Sequence, residues 1–159
     1  MAKGSYTAVI NAPKQDVWQV VSNIGAVCEC SPSVLDSHYT SSAKSGVGAS
    51  RHCDIPGGSV QERVIEWREG DGYTLEVYDM NIFTMRLLIR SIKVTFTLQT
   101  VAGGTRITGT MVGELKGGIF GKLLGRTMAS QFAEAAKANI EGMKAYIETN
   151  QHQALLKVA

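Results

Sequence analysis

The last third of the chain leaves the fewest options. TRITGTMVGELKGGIFGKLLGRTMASQFAEAAKANIEGMKAYIETN starts as an alternating strand near Arg106 to Glu114 and breaks at Gly117-Gly118. It then carries a helical pattern from about Phe120 to Thr149. Leu124, Met128, Phe132, Ala135, Ala136, Asn139, Ile140, Met143 and Ile147 recur at steps of three and four, a stripe along one side of a helix. About 30 residues at a rise of 1.5 Å span roughly 45 Å, so the helix needs a broad apolar surface to lie on. The preceding strands are the available surface. Ala133, Ala135, Ala136, Ala138 and Gly142 stand where a filled core would use Leu or Ile. Small residues on a long helix above a curved sheet point to a cavity between the two.

The rest of the chain supplies that sheet. A short strand, Ser5 to Asn11, precedes Pro13, which sits just inside a helix start. PKQDVWQVVSNI places Val17, Trp18, Val21 and Ile24 on one helix face, Gly25 ends that helix, and AVCECSPSV reads as a second short helix closed by Pro32. Six strand-like segments follow: Leu35 to Ser42, Gly48 to Asp54, Val60 to Arg68, Tyr73 to Asp79, Arg86 to Thr100, and Thr105 to Glu114. The turns SAKSGVG, IPGG, EGDG and AGG between them are short, so neighbours pair antiparallel as a meander. The closing QHQALLKVA either continues the last helix or frays. The expected class is α+β: a curved antiparallel sheet of six to seven strands wrapped around a long C-terminal helix, with two short helices after the first strand plugging one end.

With 159 residues, 44% hydrophobic, the chain is long enough for one domain with a proper core, residues 1–159. A net charge of +2 with both signs interspersed gives nucleic-acid binding no electrostatic support. Cys28, Cys30 and Cys53 are an odd count without a secreted-scaffold pattern, which fits reduced thiols and a cytoplasmic setting. Cys28-x-Cys30 has too few His and Cys nearby to complete a tetrahedral metal site. MAKGSYTAVINAP alternates like a strand and lacks a signal-type apolar region, and no apolar run reaches the ~20 residues that span a bilayer. Gly117, Gly118, Gly121 and Gly125 do not form a phosphate-binding fingerprint. No nucleophile triad, paired catalytic carboxylates, metal motif or dinucleotide loop is visible. No cofactor is expected.

INAPKQDVWQVVSNI, GGSVQERVIEW and GGIFGKLLGRTMASQFAEAAKANIEGMKAYIE resemble the helix-grip superfamily, which includes START domains, the birch-pollen-allergen fold and polyketide cyclase/dehydrase-like proteins. The resemblance covers about residues 5–149. The first and third patches resemble the polyketide cyclase-like branch, and the second also looks like the plant hormone receptors of this fold. It implies a deep cavity between sheet and helix for a small hydrophobic or amphipathic molecule. In the hormone-receptor branch two loops close over the mouth, with counterparts here at Asp54 to Gly58 and Asn81 to Leu87. Ile55-Pro56-Gly57-Gly58 departs from the receptor pattern. The segment from Ser33 to Ala43 lacks the lysine with which those receptors pair a ligand carboxylate.

Glu62 is the first candidate for the cavity. If Val60, Glu62 and Val64 share the concave face, a carboxylate stands among apolar groups and demands a partner or a raised pKa. The opposite parity turns Arg63 or Ile65 inward instead, and a one-residue slip exchanges the two. The resemblance gives the glutamate of the ERV-like motif a cavity-facing position. Asn139 lies on the small-residue stripe with Phe132 and Ala135, where an amide needs partners; the alternative is the helix side. Arg86 resembles a loop-base arginine that holds a ligand acid or a closed loop, against a solvated strand end beside Arg90. His38-Tyr39 and Arg51-His52-Cys53 lie on adjacent strands, where His52 beside a Tyr could move a proton, or stand half-exposed with no role. Tyr78 and Asp79 end their strand near the mouth. Phe83, Met85, Ile119, Phe120, Leu123 and Leu124 form apolar segments that suit a gate, a partner surface or the lid of an ordinary core.

Three functions compete. The first is a binding protein for a lipid, quinone, polyketide or similar molecule oriented by Glu62, Arg86 and Asn139. The second is a polyketide cyclase or dehydratase in which Glu62, His52 or Tyr78 moves a proton. The third is a protein-interaction module, including a homodimer formed through NIFTMRL.

Overall fold

Alternation of inward apolar and outward polar side chains along seven segments builds one antiparallel sheet. The computed structural model describes the backbone of residues 1–158 and the side chains of all but residues 119–122, 154, 155 and 158. The strands are β1 (Ala2–Ile10), β2 (Asp36–Tyr39), β3 (Ser50–Ile55), β4 (Gly58–Arg68), β5 (Gly72–Met80), β6 (Ile89–Val101) and β7 (Gly104–Leu115). Their spatial order is β1-β7-β6-β5-β4-β3-β2, a meander whose last strand pairs with the first. Helix α1 (Lys14–Val21) and a 3-10 helix (Ile24–Glu29) connect the two edge strands, β1 and β2. A short helix α2 (Phe83–Leu88) precedes β6, and the long helix α3 (Gly118–Val158) lies across the concave face.

Three local readings change. Pro13 caps α1 from just outside, its carbonyl accepting the N–H groups of Asp16 (3.0 Å) and Val17 (3.1 Å). Gly25 does not end the helix; it lies inside the 3-10 turn, where a Cβ would fall 2.2 Å from the Tyr39 ring. Arg86 to Leu88 are not strand but close α2 before β6 begins at Ile89. FTMRLL is rich in residues that propagate a helical turn, and Arg86 N–H reaches the Ile82 carbonyl at 2.9 Å.

The seat of α3 explains much of its small-residue stripe. A Cβ on Gly4 of β1 would lie 2.2 Å from Ala133 N and 2.6 Å from Ala129 O, so strand and helix meet backbone to backbone. Gly113 lies under the Phe132 ring, and Gly142 meets the Cys30 carbonyl. Ala133 and Gly142 therefore serve close approach, whereas Ala135 borders open space.

At the end of the sheet where α1 packs, Trp18 and Trp67 share one carboxylate. Trp18 Nε1 donates to Glu69 Oε1 at 2.8 Å and Trp67 Nε1 to Glu69 Oε2 at 2.7 Å, with ring centroids 5.1 Å apart. These indole hydrogen bonds hold the Glu69 carboxyl below its ordinary range. Tyr73 packs against both indoles and against Phe96, and its buried hydroxyl donates to the Val21 carbonyl at 3.0 Å.

Glu148 fastens α3 to the end of β1. Its Oε1 accepts Asn11 N–H at 3.0 Å and Lys144 Nζ at 2.9 Å, and Lys144 also donates to the Val9 carbonyl. The Asn11 N–H, then Lys144, lower the carboxyl from its ordinary value of 4.5. A depressed folded-state pKa gives stability that is complete above the unfolded value and disappears as the pH falls through the folded one. Thermal melts of Glu148→Gln are therefore expected to show a lower melting temperature than the parent at neutral pH. The difference should close as the pH falls below the ordinary carboxyl value of 4.5. Parallel melting curves over that window would show that the carboxylate contributes nothing.

Candidate functional site

Between the concave sheet face and α3 lies a cavity of about 290 Å³. It opens into an outer chamber of about 400 Å³, and the two share Ile55, Pro56, Met85 and Gln131. Val77, Val94, Met111 and Phe132 supply much of the inner wall, with Ala135 and Asn139 from α3. Among the described residues lining the inner chamber, Arg51 and Glu62 alone carry charge.

These two stand opposite each other by construction. Pro56-Gly57 makes a two-residue turn, with Gly57 at φ +90°, a conformation that favours glycine at the third position of a type II turn. Ile55 then pairs with Gly58, and counting back along both strands pairs Arg51 with Glu62. Both side chains point inward and are 7% and 8% exposed, with Arg51 Nε donating to Glu62 Oε2 at 2.7 Å. Arg51 Nη1 donates to the Ile24 carbonyl at 2.8 Å, which ties the sheet to the 3-10 helix. Among the described residues neither Glu62 Oε1 nor Arg51 Nη2 has a partner. Burial alone would lower the Arg51 pKa, but neighbouring Glu62 outweighs it and the net shift is upward. Burial pushes the Cys53 thiol up to about 12, with Arg51 opposing and Glu62 adding to the shift. Burial likewise lifts the Tyr73 phenol above its ordinary value. Arg51, Cys53 and Tyr73 therefore all keep their protons near neutral pH.

Asn139 accepts a hydrogen bond from Ser31 Oγ through Oδ1, and its Nδ2 has no partner among the described residues. Glu62, Asn139, Phe132 and Ala135 thus come together on one cavity. Arg63, the alternative to Glu62, faces out and pairs with Glu76 at 3.0 Å.

His52, Tyr78 and Arg86 do not join them. Alternation sends Arg51 and Cys53 inward and therefore His52 outward. There it bonds Asp54 (2.9 Å) and Gln61 (2.8 Å), and its ring stacks on His38. Tyr78 is the extra residue of a bulge in β5 opposite Gln61 and Glu62, exposed with the Arg63 guanidinium over its ring. Arg86 is exposed on α2; its carbonyl accepts Lys116 Nζ at 2.8 Å, while its side chain lines neither chamber. Arg51, the residue sequence reasoning passed over, was signalled by the Pro-Gly turn that sets the register.

Around the outer chamber, Met85, Leu88 and Leu124 form part of the wall, while Phe83 and Leu123, from the same two helices, are not in the wall and are exposed. The side chains of Ile119 and Phe120 lie outside the described residues. No described helix is long and apolar enough to cross a membrane.

Comparison with known proteins agrees with this architecture. TTHA0849 from Thermus thermophilus superposes with a TM-score of 0.72 at 17% identity, over 93% of this chain and 98% of that one. The ginseng major latex-like protein 151 from Panax ginseng gives 0.70 at 12% identity, over 91% and 96%. Ara h 8.0201 gives 0.71 at 12% identity, over 92% and 97%. At such identities the likeness is one of fold. No curated protein sequence matches the chain. The sequence model of the family described as polyketide cyclase / dehydrase and lipid transport matches residues 1–148. With its seven-stranded sheet closed on a long C-terminal helix, the chain belongs to that family.

Proposed function

We propose that this chain binds a small, uncharged amphipathic molecule, of the lipid, quinone or polyketide kind, in the cavity between its sheet and α3. The observation that carries the reading is an apolar chamber whose charges, Arg51 and Glu62, cancel each other. A ligand carboxylate entering there would lose its hydration and meet a cation already neutralised, at a cost the site does not offset. A hydroxyl or carbonyl is better served. Glu62 Oε1 accepts from a donor, while Arg51 Nη2 and Asn139 Nδ2 donate to an acceptor. Phe132 and Ala135 hold the apolar body, and burial supplies affinity at about 25 cal/mol per Å² less the ordering cost.

Cyclase-type chemistry in the same chamber would call for a group that takes up a proton near neutral pH. Glu62 is committed to Arg51 and the Cys53 thiol is held protonated, so the binding reading is the better supported one.

Titration with Nile red, a neutral apolar fluorophore, tests it. The parent protein is expected to bind saturably with a blue-shifted emission. Ala135→Trp, which fills the chamber from α3, should weaken that binding at least tenfold, on the order of 1.4 kcal/mol. Equal binding by the two proteins, or none by either, would refute the assignment.

A further inference from the structure

We propose that the rim of the cavity mouth is a docking surface for anionic lipid bilayers. Phe83 on α2 is 82% exposed and Leu123 on α3 is 80% exposed. Leu87, Leu88 and Leu124 are exposed beside them. Residues of both helices wall the outer chamber, so these side chains belong to one rim. Large apolar groups held in solvent around an opening mark an interaction surface.

Charge identifies the partner. Segments 81–93 and 115–133, which carry the rim, hold six of the chain's 16 lysines and arginines and none of its 14 acids. They stand at net +6 and the remainder of the chain at net −4, within an overall +2. Arg86, Arg90, Lys116 and Arg126 are exposed, and none forms an ion pair with a described residue. Ile55 and Pro56 complete the chamber wall, and the acids that flank these stretches are Asp54, Asp79, Glu114 and Glu134, each just beyond an end of a stretch and none within it. Apolar side chains that can enter the headgroup region, surrounded by cations, combine the two terms that drive interfacial adsorption onto anionic lipid. A second copy of the same face would bring two positive surfaces together and is disfavoured. Docked this way, the mouth would open toward the bilayer. The proposal does not depend on what the cavity holds.

Co-sedimentation with vesicles of phosphatidylcholine alone and of phosphatidylcholine with about one-third phosphatidylglycerol tests it. The protein is expected to pellet with the mixed vesicles, to stay free with the neutral ones, and to be released by high salt. Phe83→Ser/Leu123→Ser and, separately, Arg86→Glu/Arg126→Glu should each lower the partition coefficient about tenfold or more. Circular dichroism and melting temperature should stay at the parent values, because all four side chains are exposed. Arg106→Glu, at the far hairpin, serves as the charge control and should bind nearly as the parent does. No binding to mixed vesicles, equal binding to both kinds, or rim variants that bind like the parent would overturn the proposal. So would a solution dimer that Leu123→Ser dissociates, because a second copy would then occupy the face. The Nile red result stands or falls separately.

Discussion

Glu62→Gln is expected to lower the unfolding free energy by about 3–5 kcal/mol, because it leaves the buried Arg51 guanidinium without its counter-charge. The pair sits at opposed positions of β3 and β4, almost fully removed from water, with one further acceptor, the Ile24 carbonyl. The double replacement Arg51→Met/Glu62→Leu removes both charges and is expected to recover most of the loss, since well-packed apolar substitutes for a buried pair are often neutral or stabilising. Urea unfolding of the parent, both single variants and the double variant closes the cycle. A single variant costing less than about 1 kcal/mol would mean that the pair behaves like a solvated surface contact. This prediction also governs how activity data are read. Loss of function in Glu62→Gln cannot be assigned to proton transfer until the variant's fold has been checked.

Gly4→Ala should be nearly as damaging for an unrelated reason. The added methyl would fall 2.2 Å from Ala133 N, 2.6 Å from Ala129 O and 2.7 Å from the Phe132 carbonyl carbon. All three are helix backbone atoms, so no side-chain rotation relieves the clash and α3 must lift from β1. Overpacking of this kind costs typically 1–3 kcal/mol, and the rigid neighbours place Gly4→Ala at the upper end. In a protein of this size that corresponds to a fall in melting temperature of roughly 6–12 °C. Gly125→Ala on the same helix is the control. Among the described residues its Cβ would meet Met1 O alone, at an ordinary 3.9 Å, and Ala is the better helix former by about 1 kcal/mol. Calorimetry should show the first variant melting well below the parent and the second at or above it. Equal melting temperatures for Gly4→Ala and the parent would mean that the seat of α3 is compliant.

The elements that carry strong periodicity were legible in the sequence. The apolar stripe from Leu124 to Ile147 defined a helix that continues to Val158, and the Gly-rich breaks marked the hairpins. Side-chain parity was harder, and β4 shows why. Val64 pairs with Leu75 but Glu66 pairs with Thr74, so Ile65 is an extra residue. That bulge resets the alternation and lets both Val64 and Trp67 turn inward, which blurs the two faces in the sequence. A second bulge places Tyr78 outside. Residue type alone gave no warning of either. The position of Arg51, by contrast, was encoded in the Pro56-Gly57 turn, because a two-residue hairpin fixes every pairing upstream of it. Arg86 misled because a chain that is strand on either side need not be strand throughout. The six residues of α2 turn aside before β6 begins.

The shared carboxylate of Glu69 has a use in the laboratory. Trp18 and Trp67 are the chain's two tryptophans, and neither lines the cavity. Both indoles are locked to one acceptor and stand close enough to couple optically. Their emission and near-ultraviolet dichroism therefore report whether the plugged end of the sheet is intact, from a position behind Tyr73 and Phe96. A ligand that does not absorb at their emission wavelengths leaves that signal in place, while unfolding shifts the emission to the red and removes the dichroism. The molecule carries its own internal standard, against which occupancy of the chamber and loss of structure can be separated in a single cuvette.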